Sequence, residues 1–189
     1  MKNLIFVNGT MGAGKTSVCR ELKMLLPPSV FLDGDWCWDA FPFSVTDGTR
    51  QMVVNNICFM LNSFLKCSEY QNIIFCWVMH EQTIVDSILS RLSLDGVKFR
   101  LFTLTLSEEA LRTRLGADVA AGIRQPDVIE RSVARLPLYR AMDSTKIDVT
   151  YINAHQGRRN SCRIHKGGLT SPCAGESCSR REQIQKTPR

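Results

Sequence analysis

The stretch from Asn3 to Thr16 leaves the chain few ways to fold. Leu4, Ile5, Phe6 and Val7 form an unbroken apolar run, as expected of a strand covered on both faces. Gly9-Thr10-Met11-Gly12-Ala13-Gly14 follows as a glycine-rich loop, and Lys15 and Thr16 open a helical pattern that runs through Ser17 to Leu26. The spacing Gly-x-x-x-x-Gly-Lys-Thr, set between strand and helix, is that of a loop that cradles a polyphosphate. Glycine permits the backbone angles that turn successive amides inward. The helix behind the loop adds its positive N-terminal end. In this pattern Gly9 to Thr16 wrap the phosphates, Lys15 reaches the β- and γ-phosphates, and Thr16 offers its hydroxyl to a metal. ATP with Mg²⁺ is the ligand pair this implies.

At 189 residues the chain suits one domain with a substantial core. No apolar run reaches the ~18 residues of a membrane helix. Met1-Lys2-Asn3 leads straight into the first strand without a signal-peptide pattern, so a cytoplasmic protein is expected. Cys19, Cys37, Cys58, Cys67 and Cys76 lie in or beside apolar segments and read as reduced thiols.

Charge divides the chain. Residues 1–154 hold sixteen basic and sixteen acidic side chains, whereas 155–189 hold eight and two, so the net +6 belongs to the C-terminal segment. The basic balance therefore says nothing about partners of the domain itself.

After the first helix, Pro27-Pro28 enforces a stop and Val30-Phe31-Leu32 forms a second strand. It runs into Asp33-Gly34-Asp35-Trp36-Cys37-Trp38. Ligands of open parallel sheets sit beyond the carboxyl ends of strands, so two acids here suit a phosphate site. One would hold Mg²⁺; the other would accept the proton of a substrate hydroxyl. A tight turn also favours Asp and Gly. Trp36 and Trp38 read equally as walls of a substrate pocket or as core aromatics.

Residues 41–48 read as a loop, and 49–66 as a buried helix with Val53, Ile57, Met60, Leu61 and Phe64 on one face, broadened by Met52, Val54, Cys58 and Leu65. Asn72 to Met79 is a third buried strand, followed by His80-Glu81-Gln82. His80 is a substrate contact or a structural histidine. A helix follows with Ile84, Val85, Ile88, Leu89 and Leu92 at helical spacing. Lys98 to Leu106 is a fourth strand, and Ser107 caps a helix with Glu108 and Glu109 in its first turn.

Residues 116–126 read as a mobile segment, and a helix starting at Pro126 or Asp127 carries Glu130, Arg131 and Arg135. Arg112, Arg114, Arg124, Arg131 and Arg135 crowd this region, as in a lid that closes on a γ-phosphate. Arg124 and Arg131 are the expected catalytic cations, with Arg114 on the nucleotide. The alternative is a solvated surface with pairs such as Asp127–Arg131. Lys146 to Ile152 is the last strand. The alternation predicts an α/β fold: a parallel sheet of about five strands with helices on both faces.

The Gly9–Thr16 loop, the Asp33-Gly34-Asp35 strand end and the arginine-rich segment together resemble the P-loop small-molecule and nucleotide kinases, such as shikimate kinase, gluconate kinase and chloramphenicol phosphotransferase. The resemblance spans about residues 1–153. It implies the three-layer P-loop NTPase sandwich and ATP-dependent transfer to a hydroxyl of a nucleoside or nucleotide, sugar acid or antibiotic. By that similarity Asp33 helps place Mg²⁺ or the hydroxyl, Asp35 binds substrate, and a lid arginine stabilises the moving phosphoryl group. Two features depart from the pattern. The third strand lacks the glycines those kinases often show after it, and Trp36-Cys37-Trp38 is bulkier and more apolar than a sugar acid would call for.

Residues 154–189 carry no periodic apolar pattern and read as disordered. His155, Cys162, His165, Cys173 and Cys178 match no standard zinc spacing. Two other function classes stand beside the kinase: a nucleotide-binding switch with slow hydrolysis, and a nucleic-acid-associated protein acting through the basic tail, with nucleic acid the less favoured partner. The expected assembly is a monomer or homodimer.

Overall fold

The computed structural model describes residues 1–151. The elements are β1 (Lys2–Asn8), α1 (Lys15–Leu25), β2 (Ser29–Asp33), a 3-10 turn (Gly34–Cys37), α2 (Asp47–Lys66), β3 (Asn72–Trp77), α3 (Gln82–Leu89), β4 (Val97–Thr105), α4 (Glu108–Ala120), α5 (Val128–Ala134), α6 (Leu136–Ala141) and β5 (Thr145–Asp148). The strands form one sheet in the order β2-β3-β1-β4-β5, with every pairing parallel. The strand carrying the glycine-rich loop is thus central, with its end held between β3 and β4.

Helices cover both faces, as the sequence predicts. Side chains alternate along each strand and sort into two cores. Ile5, Val7, Ile74, Cys76, Phe102 and Leu104 pack under α1, α4 and α5. Leu4, Phe6, Ile73, Phe75, Trp77 and Leu101 pack under α2, α3 and α6. Fully buried side chains such as Phe6, Phe75 and Leu61 each contribute about 1.5–3 kcal/mol of transfer free energy. Aromatic edges tighten the second core: Phe6 meets Phe75 at 4.8 Å and Phe99 at 5.1 Å between centroids.

Several boundaries differ from expectation. The second helix starts at Asp47 because Thr46 caps it, its hydroxyl accepting from the Thr49 amide while the Thr49 hydroxyl accepts from the Thr46 amide. Met52 is exposed on that helix and does not broaden its buried face. The third strand ends at Trp77, so His80 lies in a connection. Residues 116–120, expected to be mobile, continue α4 down to Ala120. A separate short helix, α6, follows a break at Arg135, where Pro137 near the new helix start removes a donor that would be unpaired there anyway. The last strand closes at Asp148.

Cys19, Cys37, Cys58, Cys67 and Cys76 are free thiols. No described helix is long and apolar enough to cross a membrane. The expectations for Ile152 and for the tail 154–189, including its histidines and cysteines, lie outside the described residues.

Candidate active site

The glycine-rich loop leaves β1 at its carboxyl end and enters α1 through Gly14, which has a left-handed φ of 88°. No side chain caps this helix, so its first amides are left to a ligand. Gly12 combines a φ of 75° with a close approach. A Cβ there would meet Leu115 Cδ2 at 2.9 Å, so the loop rests directly on α4. Asn8 anchors the loop's first residue. Fully buried, it accepts from the Gly9 and Met79 amides at 2.8 and 2.9 Å and donates to the Met79 carbonyl at 2.6 Å.

Lys15 Nζ donates to the Thr10 carbonyl at 3.1 Å. Burial lowers its pKa, and the fields of Asp35 and Asp33 work in the opposite direction. Thr16 Oγ1 donates to Asp33 Oδ2 at 2.7 Å, joining the loop to the end of β2. Asp33 is buried and its Oδ1 accepts from the Asp35 amide at 3.2 Å. Asp35 Oδ1 in turn accepts from Trp77 Nε1 at 3.1 Å.

Lys15, Thr16, Asp33 and Asp35 face one cavity of about 480 Å³. Its lining includes Met11 to Thr16, Asp33, Asp35, Arg114, Asp118 and Arg124. Arg114 donates to the Val149 carbonyl at 2.6 Å, and burial lowers its pKa. Arg124, in the connection after α4, pairs with Asp118 at 3.0 Å.

Of the expected site residues, Met11 to Thr16, Asp33, Asp35, Arg114 and Arg124 line this cavity, whereas Gly9 and Thr10 are buried and Trp36, Trp38 and His80 are outside the lining. The structure leaves Arg131 out of the cavity lining, on an exposed turn of α5 paired with Asp127 at 3.1 Å. That pair is the surface alternative weighed from the sequence, and the i,i+4 spacing explains it. Arg112 is a staple between helices, bonded to Glu108 of α4 at 2.8 Å and Glu130 of α5 at 2.6 Å. Trp36 is exposed, with its edge on Phe31. Trp38 packs between Phe43 and Trp77. His80 is half-buried; its Nδ1 has no hydrogen-bond partner and its Nε2 lies 3.6 Å from Glu81. Burial lowers the His80 pKa, and Arg135 adds to that effect.

Three contributors were not legible as such. Trp77 reads as a strand core residue, yet its indole N–H holds Asp35. Asn8 ends an apolar run and had only its polarity to mark it. Asp118 pairs with Arg124 across the end of α4, at a spacing no local rule singles out.

A family profile described as AAA domain matches residues 5–131, about two thirds of the chain. The chain belongs to the AAA domain family. No curated protein matches this AAA domain in sequence. Among solved structures, the tunicamycin resistance protein of Deinococcus radiodurans is similar, with 21% identity over 90% of this chain and 98% of that one, at a TM-score of 0.68. A gluconokinase from Sinorhizobium meliloti 1021 shares 18% identity over 87% of this chain and 94% of its own, at 0.62. The shikimate kinase of Acinetobacter baumannii, solved with shikimate, shares 20% identity over 89% and 94%, at 0.59. These likenesses establish that this AAA domain has the P-loop NTPase fold, as the sequence predicts.

The residues present suit ATP and Mg²⁺. Uncapped amides, a glycine cradle and a partly buried ammonium form an anion site. Among the described residues no group of three or more His, Cys, Asp or Glu side chains could hold a metal. Thr16 and Asp33 are the pair available. One hydroxyl and one carboxylate, completed by phosphate and water, is a donor set that Mg²⁺ accepts.

Proposed function

We propose that this chain is an ATP-dependent kinase that phosphorylates a hydroxyl of a small molecule. The observation that carries the reading is the chain of contacts Thr16–Asp33–Asp35–Trp77, which places an oriented carboxylate beside the phosphate loop. A protein that only bound nucleotide would need Thr16 and Asp33 but not a second, separately held acid.

The roles follow from the geometry. The amides of residues 12–16 and the Lys15 ammonium hold the phosphates. Thr16 and Asp33 would hold Mg²⁺, which, when bound, offsets phosphate charge. Asp33 is engaged by Thr16 and by the Asp35 amide, so Asp35 is assigned to the acceptor. With Oδ1 on Trp77, Oδ2 is left to accept from the acceptor hydroxyl. The acceptor oxygen then attacks the γ-phosphorus. A new O–P bond forms as the bond from that phosphorus to the β,γ-bridging oxygen breaks, ADP leaves, and the proton passes to Asp35. Arg124 and Arg114, which also line the cavity, stabilise charge on the moving group. A gluconokinase, a shikimate kinase and a tunicamycin resistance protein among the fold neighbours suit the sugar-acid and antibiotic classes of acceptor, and the site's own chemistry must choose among the candidates.

Mass spectrometry of a pooled acceptor panel with ATP and Mg²⁺ tests the reading. A product heavier by one phosphoryl group, absent with Lys15→Met, is the expected result. Equal ATP hydrolysis with and without every acceptor, unaffected by Asp35→Asn, would instead mark a nucleotide switch.

A further inference from the structure

The segment between the 3-10 turn and α2 is unusually apolar for a surface. Trp36 is 55% exposed, Phe41 101%, Phe43 58% and Val45 48%. Isolated exposed hydrophobics are ordinary, but a run of them beside a site marks a binding surface. Phe43 ties this run to the reacting position through Trp38 and Trp77, while Trp36 follows Asp35 directly in the chain and packs on Phe31. Asp35 accepts from Trp77, Trp38 lies 5.9 Å from Trp77 at 74°, and Phe43 lies 5.1 Å from Trp38 at 80°.

The wall's charge is equally one-sided. Residues 34–49 contain Asp35, Asp39 and Asp47 and no lysine or arginine. The next cation, Arg50, is paired with Asp47. The connection from Val78 to Gln82 adds His80 and Glu81 and no lysine or arginine. His80 is biased to its neutral form by burial, with Arg135 the cation that acts on it. A carboxylate or phosphate of an acceptor lying along residues 35–45 would meet aromatic edges and acids.

We propose that the acceptor is an alcohol with an apolar body, aromatic or aliphatic, and that residues 35–45 are the wall on which that body lies. The proposal rests on the kinase reading for the hydroxyl's role. It narrows the acceptor away from sugar acids and nucleotides, whose anions this wall would repel. Contact with Asp35 through Trp77 favours a molecule that continues into the site over a second copy of the chain or a membrane.

The test uses three probes with the full chain, Mg²⁺ and a non-hydrolysable ATP analogue: 3-phenylpropanol, 1,3-propanediol and 4-hydroxybutanoate. Each has a primary hydroxyl at matched spacing from a phenyl, a hydroxyl or a carboxylate. Binding is read by calorimetry and by the fluorescence of Trp36, Trp38 and Trp77. The phenyl alcohol should bind at least about tenfold tighter than the others. Phe43→Ser, at an exposed position that does not threaten folding, should weaken it about fivefold while nucleotide affinity stays constant. Equal binding of the three probes overturns the proposal. So does a phenyl preference that survives Phe43→Ser. If Phe43→Ser instead dissolves a dimer in sedimentation, or abolishes binding to phosphatidylcholine vesicles, and leaves phenylpropanol binding intact, the wall serves another partner and the proposal fails. ATP-dependent product formation is followed in parallel. A phenyl preference without any transferred phosphoryl group removes the kinase reading and keeps the wall. Transfer to hydroxybutanoate without a phenyl preference does the reverse.

Discussion

The indole Nε1 of Trp77 donates to Oδ1 of Asp35 at 3.1 Å, across two adjacent strand ends. The ring also occupies the space over Gly34. A Cβ on that glycine would lie 2.5 Å from Trp77 Cγ. The Asp35 carboxylate is therefore positioned by a steric fit on one side and a hydrogen bond on the other.

Trp77→Phe keeps most of the packing and removes the donor. Asp35 is exposed, so water replaces the lost donor at a cost of about 0.5–1.5 kcal/mol, but the carboxylate is no longer held in one orientation. Steady-state kinetics should show about a tenfold or greater fall in kcat/KM for the acceptor, with ATP affinity unchanged.

Gly34→Ala forces the added methyl against the indole. Overpacking of this kind costs about 1–3 kcal/mol. A denaturant melt should show that loss, together with a lower acceptor turnover, because Trp77 must move away from Asp35.

Lys15→Met separates stability from activity. Burial disfavours the Lys15 ammonium in the folded state, more than Asp35 and Asp33 favour it. Replacing it with an apolar chain should leave the melting temperature unchanged or higher, while phosphoryl transfer falls by about a hundredfold or more. A marked drop in melting temperature would contradict this account.

The two arginines chosen from the sequence should part company. Arg131 forms an exposed pair with Asp127, so Arg131→Ala should cost about 0–1 kcal/mol and leave turnover intact. Arg124 lines the cavity, and Arg124→Ala should lower kcat by about a thousandfold. Nucleotide affinity, measured by calorimetry, should change much less.

His80 makes stability depend on acid. Burial first, and Arg135 second, hold its imidazole below the usual range, so the folded state takes up a proton less readily than the unfolded chain. Its contribution is present in full above the unfolded value of about 6.5 and is lost as pH falls through the window below it. Melting temperatures at about pH 7 and about pH 5 should differ less for His80→Gln than for the parent protein.

Much of this was legible beforehand, and for definite reasons. The loop from Gly9 to Thr16 carries its chemistry in local spacing. The aspartates at the end of β2 follow from where ligands sit on parallel sheets. Long-range partners were not legible. Nothing near Trp77 in sequence says that its N–H will reach back 42 positions to Asp35. Arg114, Arg124 and Arg131 look alike in sequence, and only the course of α4 and α5 turns two of them inward. Residues 116–120 show the opposite error. Gly116 and the small polar residues after it suggest a loop, but Leu111 and Leu115 are fully buried and the helix they anchor carries on.

Gly12 seats the glycine-rich loop on Leu115, and Gly34 seats the turn that carries Asp35 on Trp77. Leu115 belongs to one core and Trp77 to the other, on opposite faces of the sheet. Each half of the site is thus founded on its own hydrophobic layer, with the Thr16–Asp33 bond as the bridge between them. A change confined to the layer under Trp77 would therefore reshape the Asp35 side of the site and leave the footing of the glycine-rich loop on Leu115 untouched.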